Sequence, residues 1–170
     1  MENWYLEQSG TARDRETWDA QHPSESSLYE NDFYQWVQQT TAALKAKAFN
    51  QVDWANVIEE IESMGRSERR ELKSRLIVLL EHLLKLRYWI AERDLNERGW
   101  RNTVIEQRRQ IQLVLDDSPS LRPLLDALYA DAYRQAREDL LLKAQLPEAE
   151  IPPGPPYTLA EALHSKTLLA

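Results

Sequence analysis

The stretch of this chain from Ser67 to Arg98 is rich in leucine and contains neither Gly nor Pro. Its apolar residues recur every three or four positions, which is the period of one face of an α-helix. These residues are Leu72, Leu76, Leu79, Leu80, Leu83, Leu86 and Ile90, with Ile77 and Leu84 widening the seam. The pattern predicts a long central helix from Ser67 to about Arg93, spanning ~40 Å at 1.5 Å per residue and packed on two sides.

The same period predicts four more helices around the central one. Their ends are marked by capping residues and by Gly and Pro, which rarely occur inside helices. The predicted boundaries are Asn31 to about Ala48 for the first helix, Asp53 to Gly65 for a short second, Gly99 to Asp116–Pro119 for the fourth, and Ser118 or Ser120 for the start of the fifth, with Pro123 in its first turn.

Both ends of the chain depart from the helical pattern. Residues 1–27 show no sustained apolar period and predict an irregular tail. Pro147 and the run Pro152–Pro156 predict an extended arm, and the capping-box pattern of Thr158 and Glu161 starts a short last helix. The fold class is therefore all-α: a five-helix bundle over residues 28–146 with one long central helix, an irregular N-terminal tail (1–27) and a Pro-rich C-terminal arm (147–170) ending in a short helix.

Composition narrows the classes of protein that the chain can belong to. It has 170 residues, 4 Gly, no Cys and a formal net charge of −7. Without Cys there are no disulfides, thiolate metal sites or Cys nucleophiles. No apolar run approaches the ~18 residues of a membrane span, and the polar stretch Met1–Gly10 is unlike a secretory leader. We therefore expect a cytoplasmic protein that does not enter the membrane.

Several blocks of sequence occur in an order that is known from one bacterial family. They are Tyr29–Trp36, Asp53–Trp54, Val57–Leu72, Leu79–Lys85, Trp100 with Ile105–Ile111, and Asp117–Leu121. Together they resemble the family called "domain of unknown function 29", found largely in photosynthetic bacteria, over about residues 28–165. The block from Glu59 to Leu72 is the most specific. The resemblance implies a helical, soluble bacterial protein and assigns no chemistry.

One candidate site combines Glu60 and Glu62 with His82. Carboxylates and a His from neighbouring helices are the usual ligands of metal sites in bundles, and one divalent ion would fit, with Glu106 as a further ligand. The alternative is a structural network, in which the arginines after Gly65 pair with these carboxylates and His82 makes a hydrogen bond at the edge of the core. We favour the network because such ion pairs are commoner than sites. No nucleophilic set is recognisable, and catalytic residues stay unassigned.

A second candidate is the basic middle of the chain. Between Arg66 and Arg109 there are 12 Lys and Arg against 7 Asp and Glu, whereas the rest of the chain has 9 against 21. Five arginines in this region are candidates for binding an anion or nucleic acid: Arg69, Arg70, Arg101, Arg108 and Arg109. Acidic residues are interleaved with them throughout, which favours an ordinary solvated face.

The third candidate is aromatic. Trp36, Trp54 and Trp100 fall on apolar stripes and are predicted to be core residues. Four other aromatic residues fall off the stripes and are candidate interface residues, the alternative being that they dock on the protein's own body: Trp4, Tyr5, Trp18 and Trp89. The preferred function is a non-catalytic interaction or regulatory module, without cofactor, that binds another protein or itself. The alternatives are a metal-binding protein or hydrolase-type enzyme using the Glu/His set, and RNA or DNA binding through the arginines, which is not favoured.

Overall fold

The computed structural model describes residues 25–164, with side chains from residue 28 on, and this part of the chain contains no strand. The all-α prediction is confirmed. The α-helices are α1 (Glu25–Asn31), α2 (Phe33–Lys45), α3 (Trp54–Tyr88), α4 (Ile90–Asp117), α5 (Leu125–Ala144) and α6 (Leu159–His164). Three 3₁₀ turns lie between them, at Phe49–Gln51, Pro119–Leu124 and Glu148–Glu150.

The central helix is longer than predicted, because α3 merges the two helices expected on either side of Gly65 into one of 35 residues. A glycine ends a helix when it adopts a positive φ, and no described glycine does so. Inside a helix Gly costs only about 1 kcal/mol relative to Ala, which neighbouring helix formers offset. Gly99 lies inside α4 for the same reason, and the break falls at Trp89 instead.

Contacts within the chain form two compact units, with the division after Ser63, inside α3. The first unit contains α1, α2 and the start of α3. Asp32, and not the predicted Asn31, caps α2: its carboxylate accepts a hydrogen bond from the backbone N–H of Gln35 at 2.9 Å. Asp53 caps α3 as predicted, accepting from the backbone N–H of Asn56 at 3.3 Å.

The second unit contains the apolar core. Its side chains come from α3, α4, the turn Pro119–Leu124, α5 and the C-terminal arm. The leucines of the predicted seam are buried in it from Leu72 to Leu84, whereas Ile77 and Leu86 are partly buried. The prediction that Ile90 belongs to this seam was wrong, because Ile90 begins α4 and is 61% exposed. Its buried members are Leu72, Leu76, Leu79, Leu80, Leu83, Leu84, Val104, Ile111, Leu115, Leu121, Leu128, Tyr129, Ala132, Tyr133, Ala136, Leu140, Ile151, Tyr157 and Ala162.

The C-terminal arm is fixed to α5 through the carbonyls of its backbone. Three side chains spaced one every four residues along α5, Tyr129, Tyr133 and Arg137, donate hydrogen bonds to it. The acceptors are the carbonyl oxygens of Tyr157 at 2.7 Å, Pro152 at 2.5 Å, and Ile151 and Glu148 at 3.0 and 2.7 Å. Because proline has no N–H to donate, side-chain donors are the natural way to hold such a segment.

The capping box predicted for the last helix is confirmed. The hydroxyl of Thr158 accepts a hydrogen bond from the backbone N–H of Glu161 at 3.2 Å, and the carboxylate of Glu161 accepts one from the N–H of Thr158 at 2.8 Å. This reciprocal pair starts α6. Within residues 25–164, no helix is long and apolar enough to cross a membrane.

Candidate interaction surface

The first turns of α3 present an apolar face that no described residue of the first unit covers fully. Trp54, Ile58 and Ile61 lie at i, i+4 and i+7 on one side of the helix and are 46%, 54% and 63% exposed. Phe49, 54% exposed, extends this face: its carbonyl accepts a hydrogen bond from the indole N–H of Trp54 at 3.0 Å. We call Phe49, Trp54, Ile58 and Ile61 the α3 apolar face.

The prediction that Trp54 belongs to the core was wrong. Helical spacing places Trp54 correctly on the apolar side of α3, but it carries no information on whether another element packs there. Single exposed apolar side chains are common on proteins. A contiguous group of this size, however, is typical of surfaces that bind other molecules.

The surroundings of this face are acidic. Residues 28–63 contain six Asp and Glu against two Lys. Glu59 is exposed beside the apolar face, and Glu60 accepts a hydrogen bond from the hydroxyl of Tyr29 at 2.5 Å. That hydrogen bond, together with desolvation, raises the pKa of Tyr29 to about 12, so that the phenol stays protonated and holds the Glu60 carboxylate in place.

An open depression of about 730 Å³ lies in the same unit. Trp36, Thr40, Ala43 and Asp53 are among its lining residues. Trp36 is buried, as predicted, against the rings of Tyr29 and Phe33. Its indole N–H has no hydrogen-bond partner among the described residues.

The described part of the chain does not assemble the predicted metal site. No group of three or more His, Asp or Glu side chains in it is arranged to hold a metal ion. Glu60 and His82 belong to the same helix, α3, and are 22 residues, or about six turns, apart along it. Glu62 is exposed, and Glu106 forms an ion pair with Arg109 at 2.9 Å.

His82 lies at the edge of the core. Its Nδ1 is 2.8 Å from the carbonyl oxygen of Val78, one turn earlier in α3. Burial lowers the pKa of His82, and the positive charge of Lys85 lowers it further. This environment matches the alternative interpretation, in which His82 makes a structural hydrogen bond at the edge of the core.

Sequence reasoning missed a buried carboxylate next to His82. Glu81 is 7% exposed and pairs with Lys85 at 2.7 Å and with Lys143 of α5 at 2.9 Å. Burial alone would raise the pKa of Glu81, but the hydrogen bonds from the two lysines outweigh it and leave that pKa lowered. The i, i+4 spacing of Glu81 and Lys85 was the available signal.

The predicted anion-binding arginines fall into two groups. Arg101 pairs with Glu97 at 2.5 Å, Arg109 pairs with Glu106, and Arg108 donates from Nε to the carbonyl of Ala162 in α6 at 2.8 Å. Arg108 therefore holds the end of the arm. The other two, Arg69 and Arg70, are exposed on α3.

The predicted aromatic interface is described only at Trp89. This side chain is half-buried and stacks on Trp100, with ring centroids 5.8 Å apart and an interplanar angle of 24°. Trp100 itself is buried, as predicted. Trp4, Tyr5 and Trp18 lie outside the described residues.

Comparison with known proteins identifies the family and leaves its activity open. No curated protein and no solved structure matches the chain significantly. A family model described as "Domain of unknown function DUF29" matches residues 28–168, which is most of the sequence and agrees with the resemblance of about 28–165. The chain therefore belongs to the DUF29 family.

Proposed function

We propose that this protein is a non-catalytic interaction module that binds another protein chain through the α3 apolar face. The observation that carries the proposal is the contiguous exposure of Trp54, Ile58 and Ile61 on one side of a helix. Burying such side chains supplies most of the free energy of protein association. The proposal keeps the cytoplasmic location expected from the sequence.

The partner is an amphipathic helix whose apolar residues are flanked by Lys or Arg. A helix in the partner matches the elongated shape of a face built at i, i+4 and i+7. Basic flanks match the exposed carboxylates beside that face, Glu59 and Glu62. Opposite charges at the rim of an interface raise the association rate and select the partner.

Site-specific photo-crosslinking tests the proposal in cells of the source organism. A photoreactive residue at position 61 is expected to yield a defined adduct, and its site of attachment is expected to be a helix of the stated composition. The matched control places the same residue at Leu142 of α5, which is 78% exposed and lies outside the α3 apolar face. Identical adducts at both positions, or none at position 61, would overturn the proposal.

Reconstitution with the purified adduct partner completes the test. Ile58→Glu is expected to weaken binding by at least about 30-fold, the effect of losing an interface residue worth ~2 kcal/mol. Leu142→Glu is the control and is expected to leave binding unchanged. Equal binding by the wild type and the Ile58→Glu variant would count against the α3 apolar face.

A further inference from the structure

A groove of about 330 Å³ lies in the second unit, where α4 meets the turn Pro119–Leu124, the first residue of α5 and the end of α6. Of the described residues that line it, four are apolar, three are arginines and none is acidic. Sites for small molecules typically enclose roughly 300–1,000 Å³ and combine an apolar surface with a few polar groups. The groove therefore has the size and composition of a small site, with a positive polar part.

The apolar residues of the groove continue the core toward the surface. Ile111 and Leu115, one turn apart on α4, are 1% and 2% exposed and belong to the core. Leu125 and Leu163 are partly buried and pack against it. An apolar group bound along these side chains would leave water on the side that faces the core, which is a favourable transfer.

Arg122 supplies hydrogen-bond donors whose position is fixed by the backbone. Its Nη2 donates to the carbonyl oxygen of Leu115 at 3.2 Å and to the carboxylate of Asp116 at 3.0 Å. A guanidinium group has N–H groups on all three nitrogens, so those on Nε and Nη1 are left for a further acceptor. Since Arg122 is exposed, a ligand can reach them from solvent.

Two arginines of α4 add positive charge to the same groove. Arg109 donates from Nε and Nη2 to the carboxylate of Glu106 at 3.1 and 2.9 Å, which leaves its Nη1 for another acceptor. Arg108 donates to the carbonyl of Ala162, and a carbonyl carries no net charge to offset that of the guanidinium. Burial lowers the pKa of Arg108, and an anion in the groove would act in the opposite direction.

We propose that this groove binds a small organic anion, in which one acidic group is carried on a short apolar chain. The acidic group accepts hydrogen bonds from Arg122, and the chain lies along Ile111, Leu115 and Leu125. Charge complementarity selects an anion, because the described lining has three guanidinium groups and no carboxylate. The site belongs to the second unit and is independent of the α3 apolar face.

An NMR titration of the isotope-labelled full chain with octanoate is the first test. Octanoate is expected to shift the amide signals of residues 108–115 and 122–125 in a saturable way. Octanol, which has the chain without the charge, and acetate, which has the charge without the chain, should each bind at least about tenfold more weakly. No saturable shift with octanoate, or equal binding of either matched probe, would overturn the proposal.

Two variants of the groove locate the site. Arg122→Gln removes the charged donor, and Gln112→Glu adds a carboxylate at an exposed lining position with almost no change of shape. Each is expected to weaken octanoate binding at least about tenfold, as the loss or repulsion of a charged partner does. Circular dichroism checks that each variant is folded, and Gln112→Glu keeps the test decisive if Arg122→Gln does not fold.

Arg134→Gln is the matched control. Arg134 of α5 is exposed and pairs with Asp131, as Arg122 pairs with Asp116, but it does not line the groove. Its replacement should leave octanoate binding unchanged. Equal weakening by Arg134→Gln, or unchanged binding by a folded groove variant, would overturn the proposal.

Discussion

The two halves of helix α3 differ sharply in burial, although the apolar spacing is helical in both. From Leu72 to Leu84 six leucines are at most 1% exposed, whereas Ile58 and Ile61 are more than half exposed. Charge density separates the halves: eight of the 13 residues from Glu59 to Glu71 are charged, against three of the 13 from Leu72 to Leu84. Along α3, helical spacing therefore places the apolar residues on one side throughout, but only the half with few charged residues is covered within the same chain.

The largest effect expected from this comparison is on stability. Leu80→Ala in the buried half should lower the free energy of unfolding by about 2–5 kcal/mol, since it leaves a cavity in the core. Ile61→Ala in the exposed half should change it by less than about 0.5 kcal/mol. Urea unfolding followed by circular dichroism measures both changes, and equal losses would remove the distinction between the halves.

The next largest effect on stability is expected from the loss of one hydrogen bond to the C-terminal arm. Tyr133→Phe removes the hydrogen bond to the Pro152 carbonyl and should cost about 1–2 kcal/mol, because that carbonyl is left without its donor in a partly buried setting. Tyr34→Phe is the control, since Tyr34 is 72% exposed. The same urea experiment measures both, and a comparable loss for the two variants would contradict the assigned role of Tyr133.

A smaller effect, opposite in sign, is expected at the glycines. Gly65→Ala and Gly99→Ala should each raise the free energy of unfolding by about 0.5–1 kcal/mol, because Ala has the higher helix propensity and a Cβ at either site meets nothing within 4 Å. Urea unfolding followed by circular dichroism measures both changes. A loss of stability in either variant would contradict the expectation that the glycine is replaceable in its helix.

The smallest effect is a pH dependence confined to the buried half. Burial lowers the pKa of His82, whose charged neighbours are Glu81, Lys85 and Lys143. As the pH falls, the unfolded chain therefore takes up a proton on His82 before the folded chain does. The contribution of His82 is therefore complete above its unfolded pKa near 6.5 and is lost on acidification through the lower folded pKa. Urea unfolding at pH 7 and at pH 5 measures how much the free energy of unfolding falls on acidification. This fall should be smaller in the His82→Gln variant than in the Ile61→Ala variant, which retains His82. An identical loss in both would exclude His82 as the source.

Much of the second unit was predictable from the sequence. The leucine seam from Leu72, the end of α4 near Pro119 and the capping box at Thr158 are local patterns, and local patterns determine the backbone directly. The predicted helix end at Gly65 was wrong. Gly65 has no positive φ and so continues the helix, and the sequence alone does not reveal the φ of a glycine.

The surface was less predictable than the fold. Exposure of Trp54 depends on which elements pack against α3, and the pairing of Glu81 with Lys143 joins residues 62 positions apart. Neither follows from spacing along one helix. The carboxylates before Gly65 and the arginines after it were visible in the sequence, but the exposure of each side chain became clear only from the structure.

The hydrogen bonds that hold the C-terminal arm have a consequence for sequence variation. Tyr129, Tyr133 and Arg137 donate only to main-chain carbonyls, which every amino acid possesses. The arm can therefore exchange its exposed side chains, such as Pro155, without losing an anchor, while replacement of the three donors removes the anchors that α5 supplies. Tolerance to mutation is accordingly expected to be asymmetric across this contact: broad among the exposed residues of the segment that is held and narrow along the helix that holds it.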